Sequence, residues 1–312
     1  MSLPRRLRAV SDLHIGYPEN RSFVRDLCPG NDGDWLLVAG DVAERYADIE
    51  WALALLSSRF ARVVWAPGNH ELWTPPDDPV QLRGEERYRE LVRLCRRLGV
   101  VTPEDPYPVW DGEGGPATIA PLFVLYDYTF RVPEASTKQQ SLDLAYEAGV
   151  VCTDEALLHP DPHPSREAWC EARVAETERR LAERDPALPT VLVNHYPLVR
   201  APTDVLWYPQ FAQWCGTVRT RDWHLRFGAA TVVYGHLHIP RTTFHDGVRF
   251  EEVSLGYPRE WRRRGPVPNP VRTIHPADDL RRMRSRRADA NHRDRRAATG
   301  PLRWPPTRGQ LA

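Results

Sequence analysis

The chain has 312 residues, of which 41% are hydrophobic and 27% are charged, and its formal net charge is zero. This composition is typical of a globular protein and excludes wholesale disorder or a fibrous repeat. No apolar run approaches the roughly 20 residues of a membrane-spanning helix. Polar residues such as Asp12 also begin too early for the apolar segment of a signal peptide. We therefore expect a cytoplasmic protein that has no membrane partner.

The number and spacing of the cysteines and the distribution of charge narrow the class of protein further. The five cysteines are scattered and form no Cys-x-x-Cys pair, so the sequence indicates neither a disulfide framework nor a thiolate zinc site. The chain from Arg259 to its end carries 15 arginines against five acidic residues, and residues 1–258 hold a balancing excess of acids. We expect an acidic folded body followed by a basic segment.

Apolar runs that alternate with helical periodicity predict an α/β fold. The runs that have the length and composition of buried strands are residues 7–10, 35–39, 63–66, 191–193 and 231–234. Residues 88–98 are expected to form a helix that ends at Gly99, and residues 166–184 a helix that Ser165 caps.

Turn signals and composition suggest how the remaining segments are organised. Asp-Gly pairs separate residues 107–110 from 117–125 and residues 241–244 from 248–253, which predicts two hairpins. We expect one folded domain over residues 1–264, in which residues 127–164 have little periodicity and form an insertion or a lid. Residues 265–312 are rich in proline and arginine, and we expect a disordered tail with one short helix near residues 280–287.

Polar residues follow each of the five predicted strands. These clusters are Asp12-Leu13-His14, Gly40-Asp41, Gly68-Asn69-His70-Glu71, Asn194-His195 and Gly235-His236-Leu237-His238. Strand ends converge on one edge of an open α/β sheet, where ligands bind. Because residues i and i+2 of an extended chain point the same way, Asp12 with His14, and His236 with His238, should each present two ligand atoms to one place.

Seven of these residues form a coherent set of metal donors: Asp12, His14, Asp41, Asn69, His195, His236 and His238. A single cluster is more simply explained as a helix cap or a buried hydrogen bond, but five in this order are not. Nitrogen and oxygen donors without sulfur favour Mn²⁺, iron or Zn²⁺. The set exceeds the needs of one ion, and a bridged pair about 3.5–4 Å apart is suited to phosphoryl transfer.

The ordered pattern D-x-H, G-D, G-N-H-E, H and G-H-x-H resembles that of the calcineurin-like metallophosphoesterases. This resemblance covers residues 12–238 and implies a four-layer α/β/β/α sandwich. It implies that Asp12, His14, Asp41 and His238 hold one divalent ion, and that Asp41, Asn69, His195 and His236 hold the second. Mn²⁺ and Fe²⁺ are the expected ions, and Zn²⁺ is compatible with the same donors.

A narrower resemblance is carried by runs that include VAGDVAER, GNHELWT and DGVRFEEVSLGYPREWRRR. They are similar to the actinobacterial 4′-phosphopantetheinyl hydrolases, which remove phosphopantetheine from the serine of holo acyl carrier proteins. The nucleophile would be hydroxide from a water that two ions activate. His70 is not needed as a ligand and is the candidate general acid, with Asp41 as the bridging catalytic carboxylate. Glu71 would orient His70 or cap the following helix, and we favour the cap.

Substrate residues are harder to assign from sequence. Tyr126 and Asp127 follow a predicted strand and could line a cleft, although packing is the more common reason for residues in such a place. Arg262 and Arg263 belong to a compact basic run, which is either a solvated charge cluster or a docking site for an acidic carrier protein.

Three other functions stay open at this point. The five motifs encode metal chemistry rather than substrate shape, so a nucleotide or cyclic-nucleotide phosphodiesterase is equally compatible with them. A nuclease, or a protein that binds nucleic acid through its basic tail, is disfavoured because the body is acidic. A non-catalytic scaffold would be expected to lack some of the metal donors, and none is missing. Oligomeric state leaves no signal in the sequence.

Overall fold

The computed structural model describes residues 4–265 and 270–276. Within these residues the strands are β1 Leu7–Val10, β2 Trp35–Ala39, β3 Arg62–Ala66, β4 Val109–Trp110, β5 Ala117–Pro121, β6 Thr190–Val193, β7 Ala229–Tyr234, β8 Thr242–His245, β9 Val248–Glu252 and β10 Arg272–Ile274. The α-helices are α1 Pro18–Asp26, α2 Tyr46–Ser57, α3 Asn69–Leu72, α4 Gly84–Arg97, α5 Lys138–Glu147, α6 Asp154–Leu157, α7 Arg166–Ala182, α8 Trp223–Arg226 and α9 Pro258–Trp261.

The described strands form two sheets. One has the order β10-β1-β2-β3, and the other has the order β4-β5-β6-β7-β9-β8. Strands β1, β2 and β3 run parallel to one another, as do β5, β6, β7 and β9. Among the described strands, antiparallel ones form three of the four sheet edges, since β10 pairs with β1, β4 with β5 and β8 with β9, and the parallel strand β3 forms the fourth. Both predicted hairpins are therefore present.

Alternate residues of the inner strands face the space between the two sheets. One buried apolar cluster draws members from both sheets: Leu7, Ala9, Trp35, Leu37, Ala39, Val64, Ala66, Trp110, Ala117, Ile119, Val191, Val193, Val233, Val253 and Ile274. The intervening strand residues, such as Leu36 and Val232, belong to a larger cluster that includes the buried faces of the helices. Each sheet is thus covered by its partner on one face and by helices on the other.

This arrangement confirms the four-layer α/β/β/α sandwich. The predicted helices are also present: α4 is followed by Gly99 in a left-handed conformation, at φ +71°, and α7 begins at Ser165, whose side chain accepts a hydrogen bond from the backbone N–H of Ala168. Over the described residues, the structure has no helix that combines the length and the apolar character needed to cross a membrane.

The expectation of a disordered tail from residue 265 is wrong in one respect. Residues 272–274 form β10, whose Ile274 is fully buried between the sheets and pairs with Leu7 of β1. The strand was missed because three residues in a proline- and arginine-rich context are too few to show an alternating pattern. The predicted short helix near residues 280–287 lies outside the described residues.

The segment predicted as an insertion or a lid, residues 127–164, contains the two helices α5 and α6. Its residues 151–153 form part of the wall of the cavity described below. The segment is therefore placed beside the polar ends of the strands.

Candidate metal centre

The polar clusters that follow β1, β2, β3, β6 and β7 meet at one edge of the sandwich. Among the described residues, three overlapping groups have ligand atoms within 4.8 Å of one another. They are Asp12, His14 and His238; His14, Asp41 and His70; and Asp41, His195 and His236. The five motifs therefore converge in space as expected. Asp12 and His238, which lie in the first and the last motif, are 226 residues apart in the chain and in contact in the fold.

The first group joins the ends of β1 and β7. The Nε2 atom of His238 lies 3.0 Å from Oδ1 of Asp12 and 3.2 Å from Nε2 of His14. The distance between Nε2 of His14 and Oδ1 of Asp12 is 4.0 Å. Asp12 and His14 are fully buried and His238 is mostly buried, so their nitrogen and oxygen donors face one another rather than solvent.

The group of Asp41, His195 and His236, with Asn69 beside it, joins the ends of β2, β3, β6 and β7 and is called the second group from here on. Nε2 of His195 lies 3.1 Å from Oδ1 of Asn69 and 3.1 Å from Nδ1 of His236. The same nitrogen is 3.3 Å from Oδ2 of Asp41, and that oxygen is 3.9 Å from Nε2 of His14 in the first group. Asp41 therefore lies between the two groups, where one carboxylate can serve both.

The chemistry of these donors fits divalent cations. Two buried carboxylates, one amide oxygen and four imidazoles are brought together, and the cluster contains no sulfur donor. Convergence of several buried acceptor atoms is costly unless positive charge lies between them. Oxygen and imidazole donors suit Mn²⁺, iron and Zn²⁺.

The local backbone conformation differs from the expected extended one. The φ angles are +52° at Asp12, +41° at His14, +71° at His236 and +54° at His238. The expectation that extended alternation directs each i, i+2 pair to one place is therefore wrong. Asp12 and His14 do share a group, but His236 and His238 belong to different groups. Positive φ is tolerated by Asp and His better than by most residues, and such strain is concentrated at functional sites.

Two glycines make the close approach of these turns possible. Gly40 has φ +84°, and a Cβ atom there would lie 2.7 Å from Nδ1 of His195. A Cβ atom on Gly68 would lie 2.1 Å from Oδ1 of Asp41. Neither position can accept a side chain unless a residue of the centre moves.

Neighbouring groups orient the candidate ligands from behind. Glu260 lies 2.7 Å from Nδ1 of His238, and the carbonyl oxygen of Ala39 lies 2.9 Å from Nδ1 of His195. The hydroxyl of Ser254 donates to Oδ2 of Asp12 at 2.7 Å. Such contacts fix ring orientation and leave the opposite nitrogen directed into the centre.

His70 lies beside both groups and has its own carboxylate partner. Its Nδ1 is 2.8 Å from Oε1 of Glu44, and its Nε2 is 3.8 Å from Oδ2 of Asp41. The ring packs on Trp73 with a centroid separation of 3.7 Å. Burial lowers the pKa of His70, but the negative charges of Asp41 and Glu44 outweigh burial and raise it overall. The proton needed by a general acid is thus favoured at this imidazole.

Glu71 caps the turn rather than contacting His70. Its carboxylate accepts hydrogen bonds from the backbone N–H groups of Asp41, Val42 and Gly68 at 2.9–3.0 Å. Burial, together with the charge of Asp41, raises the pKa of Glu71 to about 7. The residue that contacts His70 is Glu44, three positions after Asp41.

The electrostatic environment shifts the pKa values of the imidazoles in different directions. Burial and the charge of His195 lower the pKa of His236 to about 3. At His195 burial acts in the same direction, but the charge of Asp41 outweighs it and raises the pKa to about 9. Burial raises the pKa of Asp12, but the charge and hydrogen bond of His238 more than offset this and leave it well below its usual range. Binding of a cation would therefore displace protons from this cluster.

A cavity of about 360 Å³ opens onto the centre. Five residues of the metal centre line it: Asp41, Asn69, His70, His236 and His238. The wall is mixed in character, and its residues are Trp73, Val151, Cys152, Thr153, Phe211, Leu237, Tyr257, Arg259 and Glu260. The cavity can admit a phosphate ester with apolar and cationic contacts around it.

The two expected substrate residues that follow β5, Tyr126 and Asp127, are both buried. Tyr126 is fully buried and packs edge-on against Tyr128 and Tyr196, so the expectation that it lines a cleft is wrong. Asp127 is buried as well, and its carboxylate accepts hydrogen bonds from Thr129 and Thr217. Packing, the simpler explanation, applies to both.

Arg262 and Arg263 do not line the cavity. They are exposed on a 3₁₀ turn, Arg262–Arg264, that directly follows α9. Arg259, at the start of the same segment, does line the cavity. The basic run therefore lies beside the cavity, with Arg262 paired to Glu19.

Three acids that contact the centre were missed in the sequence. Glu44 and Glu260 contact His70 and His238, and Asp154 contacts Asn69. Glu44 carries a weak signal, since it lies on the same strand-end loop as Asp41. The sequence gives no signal for Glu260 or Asp154. Glu260 lies 22 positions from His238 and Asp154 lies 85 positions from Asn69, so only folding brings each beside its partner.

Comparison with known proteins shows the family and the fold of the chain. Residues 5–240 match the family model for the calcineurin-like phosphoesterases. The chain is 58% identical over 260 residues to the acyl-carrier-protein phosphodiesterase PptH of Mycobacterium tuberculosis, which covers 83% of this chain and 80% of that protein. The crystal structure of the phosphopantetheinyl hydrolase PptH from the same organism superposes with a TM-score of 0.86 and 56% identity, over 88% of this chain and 97% of that one.

Proposed function

This chain belongs to the calcineurin-like phosphoesterase family and is a metal-dependent phosphoesterase, and on that premise we propose that it removes 4′-phosphopantetheine from the serine of a holo acyl carrier protein. The observation that supports this chemistry is the closeness of the two donor groups, with Asp41 lying between His195 of one and His14 of the other. The substrate class rests on the similarity to the mycobacterial enzyme, whose name gives acyl carrier protein as its substrate.

The donor set fits two ions. Asp12, His14, Asp41 and His238 would hold one, and Asp41, Asn69, His195 and His236 would hold the other. Mn²⁺ and Fe²⁺ are the ions that we propose, because the donors are oxygens and imidazoles. When bound, such ions activate water and neutralise charge on the phosphoryl oxygens.

The reaction requires a proton for its leaving group. Water adds to phosphorus, the bond between phosphorus and the serine oxygen breaks, and the serine oxygen must gain a proton as free phosphopantetheine departs. An alkoxide is a poor leaving group, so a proton donor should accelerate this step. We assign it to Nε2 of His70, which faces Asp41 while Nδ1 is held by Glu44.

The carrier protein would approach from the side of the basic run. Arg259 lines the cavity, and Arg262 and Arg263 are exposed next to it. The body of this chain is otherwise acidic, so an acidic carrier would be repelled from most of its surface. We propose that these arginines dock the carrier and orient its serine toward His70. A cytoplasmic location, where cysteines stay reduced, is part of the same proposal.

The test is to incubate the metal-loaded enzyme with a holo carrier protein and to follow the intact mass of the carrier. The proposal expects quantitative conversion to the apo form and release of intact 4′-phosphopantetheine. Nucleotide and cyclic-nucleotide diesters are assayed in parallel at matched concentrations. An unchanged holo carrier, together with rapid turnover of a nucleotide, would overturn the proposed substrate but not the phosphoesterase chemistry.

A further inference from the structure

We propose that Asp154 is a positioning residue that fixes the amide of Asn69 toward the second ion and holds Trp73 against His70. This inference rests on the ligand set put forward under the proposed function. It concerns a residue that lies outside the five strand-end motifs and that belongs to the segment 127–164.

Asp154 is the first residue of the short helix α6, and its side chain is fully buried. The neighbouring residues Val151, Cys152 and Thr153 form part of the cavity wall. Burial of a carboxylate is costly, so its partners show what it serves. Its Oδ1 accepts one hydrogen bond from the amide of Asn69, a proposed ligand, and another from the indole of Trp73, which packs on His70.

The bond to Asn69 determines which end of the amide faces the ion site. Nδ2 of Asn69 donates to Oδ1 of Asp154 at 2.9 Å, and its Oδ1 is thereby directed to within 3.1 Å of Nε2 of His195. Rotation of the amide by half a turn would exchange the two atoms. An amide NH₂ has no free lone pair to offer a cation, so the rotated form would lose one ligand of the second ion.

The bond to Trp73 acts on the candidate acid. Nε1 of Trp73 donates to the same Oδ1 at 2.7 Å. The indole ring packs on the His70 imidazole at a centroid separation of 3.7 Å and an interplanar angle of 30°. One carboxylate oxygen therefore restrains both the amide that faces the second ion and the ring that covers the acid.

The decisive comparison is between Asp154→Ala and Asp154→Asn. The alanine variant removes the acceptor, whereas the carbonyl oxygen of asparagine can accept the same two hydrogen bonds. Each apo protein is titrated with Mn²⁺ and the two binding constants are resolved. For Asp154→Ala we expect one of the two constants to weaken by about 10–100-fold, which is typical of losing a partner that orients a ligand. For Asp154→Asn we expect that constant to be restored to within a few fold.

The ion held by Asp12, His14 and His238 is an internal control, because Asp154 contacts none of these residues in the described structure. The second control is Asp143→Ala, an exposed residue of the same segment that should change neither constant. Equal weakening of both ions, no weakening of either, or failure of asparagine to restore binding would overturn the assignment. If the alanine variant does not fold, Asp154→Ser replaces it, since the serine hydroxyl is too short to reach Asn69. These measurements use no substrate, so an error in the proposed substrate leaves their outcome unaffected.

Discussion

Single residues of the centre combine an unfavourable backbone conformation with buried charge. Asp41 shows both, because it has φ +56° and its carboxylate is almost completely buried. Strained positions of this kind cost on the order of 1–3 kcal/mol each. The cost is offset locally, since Glu71 accepts from the backbone N–H of Asp41, whose own Oδ1 accepts from the backbone N–H of His70. Such an arrangement favours ion binding over stability of the apo protein.

His70 provides the clearest prediction at this scale. We expect His70→Ala to lower kcat on a holo carrier by about 10²–10⁴-fold, because the serine alkoxide then departs without a proton. A p-nitrophenyl phosphodiester has a stable leaving group and should lose much less. Steady-state kinetics on the two substrates measure the difference.

The metal content of the same variant provides the control. His70 lies within 4.8 Å of ligand atoms of His14 and Asp41, so a role as ligand has to be separated from a role as acid. The account expects both ions to be retained in His70→Ala by elemental analysis. Loss of an ion, together with an equal fall in kcat on both substrates, would show that His70 is a ligand.

Elements of secondary structure bring the centre together through their carboxyl ends. The strands and hairpins were predictable because buried parallel strands are short, apolar and followed by polar turns. The seven proposed ligands could be located for the same reason. Strand β10 could not, since it is three residues long, and neither could Asp154, whose proximity to Asn69 depends on how the segment 127–164 folds back.

Tyr126 illustrates the opposite error. Its place after an apolar run is the same as that of the true cavity residues, and sequence alone does not distinguish a ring that faces the cavity from one that faces the core. The structure buries it completely. Position along the chain therefore identifies strand ends better than it identifies side-chain direction.

Asp34, the residue that precedes β2, supplies a prediction about pH. Asp34 is fully buried and accepts hydrogen bonds from the backbone N–H groups of Arg6 and Gly30 and from the side chain of Arg8, at 2.8–2.9 Å. Burial raises the pKa of Asp34, but these donors outweigh it and lower the pKa. We expect Asp34→Asn to reduce the free energy of unfolding at pH 7 by about 1.5–3 kcal/mol.

The sign of the pH dependence follows from the lowered pKa. A carboxyl whose pKa is lower in the folded state stabilises the fold fully above its unfolded pKa of about 4. That contribution is lost as pH falls through the folded value. The difference in the free energy of unfolding between wild type and Asp34→Asn, measured by urea titration, should therefore shrink below about pH 4. The control is Asp32→Asn at an exposed position, which should leave the free energy of unfolding close to that of wild type. If the difference in the free energy of unfolding between wild type and Asp34→Asn stayed constant as pH falls, this account would be contradicted.

At the scale of the whole molecule, charge is separated between an acidic body and a basic end. The first 258 residues hold the excess of acids, and the segment in which arginines outnumber acids begins at Arg259, which lines the cavity. Complementary charge raises the rate at which oppositely charged partners associate, and salt weakens the effect. A small diester is less sensitive to this field than an acidic protein.

Charge reversal at the basic run tests this separation. We expect the double variant Arg262→Glu/Arg263→Glu to raise KM for a holo carrier by about tenfold or more while leaving KM for a small chromogenic diester unchanged. Arg264 is left intact because it donates to the backbone carbonyls of His238 and Leu255. The matched control makes the same charge change on α4, at Arg89 and Arg93. Equal effects of the two double variants on the carrier would count against docking at this run.

The most direct measurement of the central claim is the position of the ions themselves. Crystals of the protein grown with Mn²⁺ should give two anomalous peaks at the strand-end edge of the sandwich. One peak should contact Asp12, His14 and His238, the other Asn69, His195 and His236, and Asp41 should contact both. A single peak, or peaks bound by other side chains, would contradict the two-ion centre and the hydrolysis derived from it.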